Sequence, residues 1–259
     1  MEGARTQGLG DLFNKVPEVT IVFWIVKILA TTVGETVADV LSTTLKLGLV
    51  VTSYVMAGLL VIALFFQFRS KTYVPAIYWI VVVFISVVGT LISDNLVDNL
   101  GVSLSITTLI FGSALAVVFL WWFLSERTLS VHTIYSFRRE LFYWAAILCT
   151  FSLGTSAGDL IAERLGVGYA LSALIFGAVI GLIAIAHHFG MNGIAAFWLA
   201  YILTRPLGAS TGDLLSQPVA AGGLGLGTVG PSVIFLLLII GLVRYLAVLE
   251  MKRKPAPAG

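Results

Sequence analysis

The sequence predicts an all-α integral membrane protein in which eight transmembrane helices form four parallel helical-hairpin repeats. Three observations support this fold class: a very apolar composition, eight apolar runs of membrane-spanning length, and one motif that recurs four times. Of the 259 residues, 59% are hydrophobic and 11% are charged, whereas a soluble domain carries about 25% charged residues. The mean hydropathy is +1.03. This composition excludes a disordered chain, a disulfide-stabilised secreted domain and most soluble enzymes.

Eight apolar runs predict the helices, because about 20 helical residues cross the hydrocarbon core of a bilayer. The runs are 17–43, 48–68, 74–98, 102–124, 139–163, 168–189, 193–216 and 229–249. They form one transmembrane domain over 17–249, with repeats over about 17–68, 74–124, 139–189 and 193–249. Residues 1–16 are predicted to be a cytoplasmic N-terminal segment and residues 250–259 a cytoplasmic tail. The first run is too long for the core of a signal peptide, so we expect it to be retained.

Lysine and arginine residues fall mostly on one side of this arrangement. Only Lys46 and Arg164 lie on the opposite side. Cytoplasmic loops keep the excess of positive charge, so both termini are predicted to be cytoplasmic and the loops after the first, third, fifth and seventh helices to face outward. The ten residues on the cytoplasmic side are Arg5, Lys15, Arg69, Lys71, Arg127, Arg138, Arg139, Lys252, Arg253 and Lys254.

The pattern aromatic-Trp-x9-Gly-x4-Asp occurs four times. Its tryptophans are Trp24, Trp79, Trp144 and Trp198; its glycines are Gly34, Gly89, Gly154 and Gly208; its aspartates are Asp39, Asp94, Asp159 and Asp213. A two-span unit enters and leaves on the same side, so the four copies run parallel. The aspartates then share one depth, about 22 Å from tryptophans placed at the cytoplasmic aromatic belt. A pseudo-fourfold or nested pseudo-twofold bundle would bring them toward one axis.

Two further positions of the motif share the helix face of the aspartate, because residues i and i+4 are neighbours on a helix. Four residues before each aspartate lie Glu35, Thr90, Thr155 and Ala209, and four residues earlier lie Thr31, Ser86, Phe151 and Arg205. Three of the four copies therefore direct carboxylate and hydroxyl oxygens to one side. The motif glycine lies beside this face, where it would admit a closely packed neighbouring helix.

These oxygens predict a cation site within the membrane. A carboxylate at the centre of a span costs roughly 2.5 to 3.5 kcal/mol, so it must be paired, hydrated or in a cavity. The predicted site consists of Glu35, Asp39, Asp94, Asp159 and Asp213, all of them candidate metal ligands. The supporting residues are Thr31, Thr90 and Thr155 as further ligands and Lys27 and Arg205 as residues that tune the charge. If all five acids are ionised, three negative charges remain, which protons or a bound cation would neutralise.

Other features allow two interpretations each. The alternative for the acids is that they serve only to hold the helices in register. Asp98 and Glu163 lie one turn beyond Asp94 and Asp159, either as solvated residues or as a funnel for cations. Pro206 removes a backbone hydrogen bond beside Arg205, which predicts a kink that is either a gate or a local packing solution.

Neither an enzymatic site nor a disulfide is indicated. The segments 156–159 and 210–213 end in Gly-Asp, which is similar to one element of intramembrane aspartyl proteases, but the Tyr-Asp partner element is absent. No nucleophile constellation, dinucleotide fingerprint or phosphate loop occurs. Cys149 is the single cysteine, which excludes an intramolecular disulfide and cysteine-based zinc or redox motifs. A net charge of +2 with dispersed basic residues gives no nucleic-acid footprint.

The stretches 15–39 and 201–213 closely resemble a bacterial family of multi-pass, membrane-anchored proteins built from a repeat of unknown function. The resemblance extends over nearly all of residues 14–245. It implies a multi-pass protein of the bacterial inner membrane and brings no settled activity with it. Phe151 in the third repeat and Ala209 in the fourth depart from exact fourfold ligation.

The functional expectation is therefore a cation transporter or channel, for a divalent metal such as manganese or magnesium and with or without proton coupling. The alternative is a non-transporting sensor or assembly protein whose buried acids are structural, and a third is an exporter of a small organic cation. No cofactor is expected apart from a bound divalent cation. The expected partners are the lipid bilayer and the small cation, with a monomer and a homo-oligomer both compatible with the sequence.

Overall fold

The computed structural model describes residues 14–253, and over this range the chain forms eight long helices and no strand. The helices are α1 (Ile21–Asp39), α2 (Leu49–Arg69), α3 (Pro75–Asp94), α4 (Leu104–Glu126), α5 (Phe137–Asp159), α6 (Tyr169–His188), α7 (Gly193–Ser216) and α8 (Val229–Arg253). Their ends lie within a few residues of the predicted ones. The predictions for 1–13 and 254–259 lie outside the described residues.

Seven of these helices, all except α7, are long and apolar enough to cross a membrane. Helix α7 contains Arg205, Pro206 and Asp213 in its second half, and these residues lower its hydropathy. The chain between residues 14 and 253 is thus all-helical with seven candidate spans. An eighth crossing stays a prediction.

Several helices begin at residues that the sequence makes good N-caps. The side-chain oxygen of Ser136 accepts a hydrogen bond from the backbone N–H of Arg139 at the start of α5, and Asn192 does the same for the first turn of α7. Such caps satisfy N–H groups that have no partner inside the helix. Pro75 occupies the first turn of α3, where its missing N–H costs nothing.

The four first helices of the repeats form an inner ring. Helix α1 packs against α3, α3 against α5, α5 against α7, and α7 back against α1. The second helices lie outside this ring: α2 packs on α3, α4 on α5, α6 on α7, and α8 on α1. Each second helix therefore covers the first helix of the next repeat. Of the two symmetries that the sequence allows, the pseudo-fourfold one is observed, and it closes into a cycle.

The motif glycines lie at the contacts of the inner ring. A Cβ added to any of them would overlap the residue seven positions after the tryptophan in the next repeat. The four pairs are Gly34 with Ser86, Gly89 with Phe151, Gly154 with Arg205, and Gly208 with Thr31. The prediction that these glycines admit a close neighbouring helix is confirmed.

The aromatic pairs of the motif form a layer across the end of the ring that lies away from the aspartates. Each aromatic residue before a tryptophan packs on the tryptophan of the next repeat, with ring centroids 5.4 to 6.3 Å apart. We call these eight residues the aromatic layer: Phe23, Trp24, Tyr78, Trp79, Tyr143, Trp144, Phe197 and Trp198. The prediction that the tryptophans belong to a lipid-interface belt was wrong for three of them, because Trp79, Trp144 and Trp198 are buried in the protein core.

Three of the inner helices end in a short π-helical segment. These segments are Val40–Thr44, Asn95–Asn99 and Leu160–Arg164, and each begins directly after a motif aspartate. A π turn is wider than an α turn and is frequent at functional sites. Helix α7 instead continues as α-helix past Asp213 to Ser216. Asp39, Asp94 and Asp159 thus share one local backbone geometry that the fourth repeat lacks.

Candidate functional site

The five acids of the predicted site line one cavity at the end of the inner ring where the π segments begin. The cavity has a volume of about 190 Å³. Seven of its ten lining residues are acidic: Glu35, Asp39, Asp94, Asp98, Asp159, Glu163 and Asp213. Gln217, Val97 and Leu104 complete the lining. We refer to this space as the acidic cavity.

The motif register explains how four separate helices meet here. The aspartates occupy the same position in four parallel repeats, and the ring brings those positions together around the pseudo-fourfold axis. Asp213 and Glu35 are buried, with 5% and 7% of their surface exposed. Asp39, Asp94 and Asp159 are half-buried. The spacing in the sequence was sufficient to predict this convergence.

Asp98 and Glu163 lie at the rim of the acidic cavity. Both side chains are exposed, as expected for solvated residues, and both line the cavity, as expected for a funnel. The Glu163 carboxylate accepts a hydrogen bond of 2.9 Å from the Tyr169 hydroxyl. The outermost acids therefore connect the buried aspartates with the surface.

Arg205 lies beneath the acidic cavity and is fully buried. Its Nη2 donates to Glu35 Oε2 at 2.7 Å, to Thr155 Oγ1 at 2.7 Å, and to Thr90 Oγ1. Its Nη1 donates to the Thr31 carbonyl at 3.2 Å. One guanidinium group from α7 thus bridges α1, α3 and α5. Arg205 therefore lies in contact with Glu35, and its predicted role in tuning the charge of the site stays a prediction.

The three threonines do not act as direct cavity ligands in this structure. Thr90 and Thr155 direct their hydroxyls to Arg205. The Thr31 hydroxyl donates to backbone carbonyls of Ile28 and Thr204, because it lies at the close contact with Gly208. None of the three is among the lining residues, and their role as supporting ligands of a cation stays a prediction.

Lys27 also lies away from the acidic cavity. It is fully buried, and its Nζ lies 3.8 Å from the ring centre of Phe151 and 4.1 Å from that of Tyr201. This Nζ has no hydrogen-bond partner among the described residues. Lys27 therefore packs against aromatic rings and, within the described chain, forms no salt bridge with a cavity acid.

Charge in the acidic cavity is poorly compensated. Among the residues from 14 to 253, the Glu35–Arg205 pair is the one salt bridge that involves a cavity acid. Carboxylates held close together repel one another unless protons or cations neutralise them. The cavity therefore concentrates negative potential at the end of a largely apolar helix ring.

A compact metal centre is not preformed in this conformation. In the described part of the chain, no three His, Cys, Asp or Glu side chains are arranged so that they could hold a metal ion. The cavity acids are spread around its wall instead. Direct ligation of a divalent metal by Glu35 and the four aspartates stays a prediction.

Two parts of the polar architecture are not predicted by the sequence motif. Gln217 lines the acidic cavity four residues after Asp213, so the i+4 rule that paired Glu35 with Asp39 had the signal to find it. At the opposite end of the bundle, buried Glu140 binds Lys15 Nζ at 2.7 Å and Gln67 Nε2 at 2.9 Å. No repeat signal marks this second cluster, because it joins residues from different motif positions.

Comparison with known proteins identifies the repeat itself. A family model described as Repeat of Unknown Function (DUF347) matches residues 22–73, 77–128, 142–190 and 196–251. These segments correspond to the four hairpins, and together they cover most of the chain, which confirms the resemblance noted in the sequence. Neither the curated proteins nor the solved structures contain a match. The chain belongs to the Repeat of Unknown Function (DUF347) family, of whose repeat it contains four copies.

Proposed function

We propose that this protein is a cation transporter or channel, and not an enzyme, in which the acidic cavity receives the cation. The observation that carries the proposal is the convergence of seven acids on one cavity of about 190 Å³, with a single salt bridge among them within the described residues. Burying so much negative charge in a membrane protein is costly. This cost is tolerated if the function requires the negative charge. Rings of Asp and Glu side chains attract cations at the mouths of cation pathways.

The cavity suits a cation that keeps part of its hydration shell. A water molecule occupies about 30 Å³ of liquid volume, so a space of this size admits a cation with several waters. Mg²⁺ gives up its waters reluctantly and is held through few direct carboxylate bonds. Spaced carboxylates without a preformed cage favour such a hydrated divalent ion, magnesium or manganese. Exchange of protons among the same carboxylates would couple its passage to protons.

We further propose that the protein spans the bacterial inner membrane eight times with both termini in the cytoplasm. Helix α7 is enclosed by α1, α5 and α6, so its polar residues face protein and not lipid, which allows a less apolar helix to cross. The ten-to-two distribution of Lys and Arg supports a cytoplasmic aromatic layer. The acidic cavity then opens outward.

Flux measurements on purified protein in liposomes test the proposal. Reporters inside the liposomes would record manganese, magnesium and protons. We expect uptake of at least one divalent cation, and a loss of about tenfold, equivalent to about 1.4 kcal/mol, when Asp159→Asn removes a cavity charge that has no salt-bridge partner. Glu126→Gln is the matched control, because Glu126 pairs with Arg139 far from the cavity. Absence of flux for all three ions, or equal flux in both variants, would overturn the proposal.

The structure also favours one specific alternative. The Arg205 guanidinium joins Glu35 to Thr90 and Thr155 and thereby connects all four inner helices. At least one cavity acid therefore contributes to holding the bundle together, as in a non-transporting sensor or assembly protein. Under that alternative, Asp159→Asn relieves repulsion and raises the melting temperature, and no ion crosses the liposome membrane.

A further inference from the structure

One level of the inner ring has an unusual composition. The residue eleven positions after each motif tryptophan is Glu35, Thr90, Thr155 or Ala209. Three repeats thus supply a side-chain oxygen at this level, and the fourth supplies a methyl group. All four residues are buried. The fourth repeat contributes Arg205 instead, one turn before Ala209 on the same helix face.

The oxygens of this level converge on one nitrogen atom. Arg205 Nη2 donates to Glu35 Oε2 and Thr155 Oγ1, each at 2.7 Å, and to Thr90 Oγ1. Thr90 Oγ1 lies 3.3 Å from Glu35 Oε2 as well. Distances near 2.7 Å are those of charge-assisted hydrogen bonds from a cationic nitrogen to oxygen. The group of oxygens therefore has the geometry of a site for a hydrogen-bonding monocation.

Two further observations describe the surroundings of the guanidinium. Arg205 Nε is buried and has no hydrogen-bond partner in the described chain, so the bonds concentrate on the terminal nitrogens. Glu35, the charged member of the group, also lines the acidic cavity. The site therefore adjoins the space through which a cation would arrive.

We propose that Glu35, Thr90, Thr155 and the Thr31 carbonyl form a cation seat at the base of the acidic cavity. In this conformation the guanidinium of Arg205, a side chain of the protein itself, occupies the seat. The seat has one carboxylate, and its other oxygens are neutral, so it suits a singly charged hydrogen-bond donor of the guanidinium or ammonium class. The role of the seat in transport rests on the proposed function, since an arriving cation would compete with Arg205 for Glu35. The ability of the seat to bind such a cation is independent of the proposed function.

Chemical rescue of Arg205→Ala tests the seat. The variant is purified in detergent and its melting temperature is followed against guanidinium chloride, with sodium chloride at equal ionic strength and urea as controls. Urea has the shape of guanidinium but no charge. We expect the variant to melt below the wild type and to be stabilised saturably by millimolar guanidinium alone, because a ligand that binds only the native state stabilises it by mass action. The wild type, whose seat is filled, should show no such rise.

Two further variants locate the binding. Adding Thr90→Val and Thr155→Val to Arg205→Ala removes two seat oxygens and should abolish the effect of guanidinium. Adding Thr107→Val instead should preserve it, because Thr107 is equally buried but lies on α4 outside the seat. If Arg205→Ala folds only when guanidinium is present throughout purification, the seat is supported in the same way.

The opposite results overturn the seat. These are no saturable rise, an equal rise with urea or sodium chloride, a rise that survives the loss of both seat hydroxyls, or a variant that fails to fold with and without guanidinium. The assay needs no ion flux. A protein that binds guanidinium but transports nothing in liposomes therefore contradicts the proposed function and leaves the seat intact. A protein that transports cations but whose Arg205→Ala variant is not stabilised by guanidinium contradicts the seat alone.

Discussion

Two buried cations lie between the inner helices, and their surroundings differ. The Arg205 guanidinium donates to four oxygen atoms of three other helices. The Lys27 ammonium has no hydrogen-bond partner among the described residues and packs over two aromatic rings. A desolvated cation–π contact is worth about 2 kcal/mol, whereas burying a charge costs several kcal/mol. We therefore expect the loss of Arg205, which leaves Glu35 unpaired, to destabilise the ring and the loss of Lys27 to be tolerated.

This contrast predicts opposite effects of two equivalent substitutions. Arg205→Met leaves the Glu35 carboxylate buried without its partner, and we expect it to lower the free energy of unfolding by about 3 to 5 kcal/mol. Lys27→Met replaces an unpaired ammonium by an apolar chain of similar length, and we expect the variant to melt at or above the wild-type temperature. Thermal unfolding in detergent measures both. Equal destabilisation by the two substitutions would contradict this account.

At the scale of residues, the sequence was sufficient to locate the acids and Arg205 but not the contacts of Thr31 and Lys27. Regular spacing identified Asp39 and its three counterparts, because parallel repeats place equal positions at equal depth. The same spacing did not show that Thr31 contacts Gly208 or that Lys27 contacts Phe151. A helical wheel gives the direction of a side chain on its own helix, and it does not say which helix lies opposite.

At the scale of helices, the motif glycines decide how closely the inner ring packs. A Cβ at Gly89 would come within 2.7 Å of the Phe151 Cβ, a distance that forces α3 and α5 apart. By contrast, Gly58 of α2 has no other atom within 4 Å of such a Cβ. The two glycines therefore differ in environment although both lie inside apolar helices.

Alanine substitutions should separate these two environments. We expect Gly89→Ala to lower the free energy of unfolding by about 1 to 3 kcal/mol, the usual cost of overpacking. Gly58→Ala adds a methyl group in open space and should be neutral or stabilising by up to about 1 kcal/mol, because alanine favours the helix over glycine. Unfolding curves of the two variants, recorded in the same detergent, give the comparison. A Gly89→Ala protein as stable as Gly58→Ala would show that the ring tolerates a wider spacing.

Helix positions were predictable at this scale, and helix partners were not. Apolar runs of about 20 residues located all eight long helices in the described chain. Pairing of α2 with α3, instead of with its own hairpin partner, follows from the shape of the complete ring. The π segments after Asp39, Asp94 and Asp159 were also missed, because hydrophobic periodicity does not distinguish a single π turn from the end of an α-helix.

At the scale of the whole molecule, the number of membrane crossings is seven or eight, depending on whether α7 crosses. Helix α7 is the one long helix between residues 14 and 253 that is not apolar enough to count as a candidate span, and it forms one of the four sides of the inner ring. If it crosses, the loops before and after it lie on opposite sides of the membrane. Phe189 and Val219 are exposed residues of these two loops, at 84% and 74% of their surface.

Labelling in intact cells with a membrane-impermeant maleimide tests this topology. In a Cys149→Ala background, we expect Val219→Cys to react from outside and Phe189→Cys to react only after the membrane is permeabilised. The reason is the bias of positive charge, which assigns the loop before α7 to the cytoplasm. Equal labelling of both positions in intact cells would mean that α7 does not cross.

The cyclic order of the ring determines when the chain can become stable during synthesis. Helix α1 is made first, yet its neighbours include α7 and α8, which the ribosome delivers last. Lys27 meets Tyr201, and Glu35 meets Arg205, only after the fourth repeat has emerged. A nascent chain of one, two or three repeats therefore contains ionisable groups without their native partners. We therefore expect a chain that ends after the third repeat to be less stable than the full chain, because Lys27 and Glu35 would lack Tyr201 and Arg205.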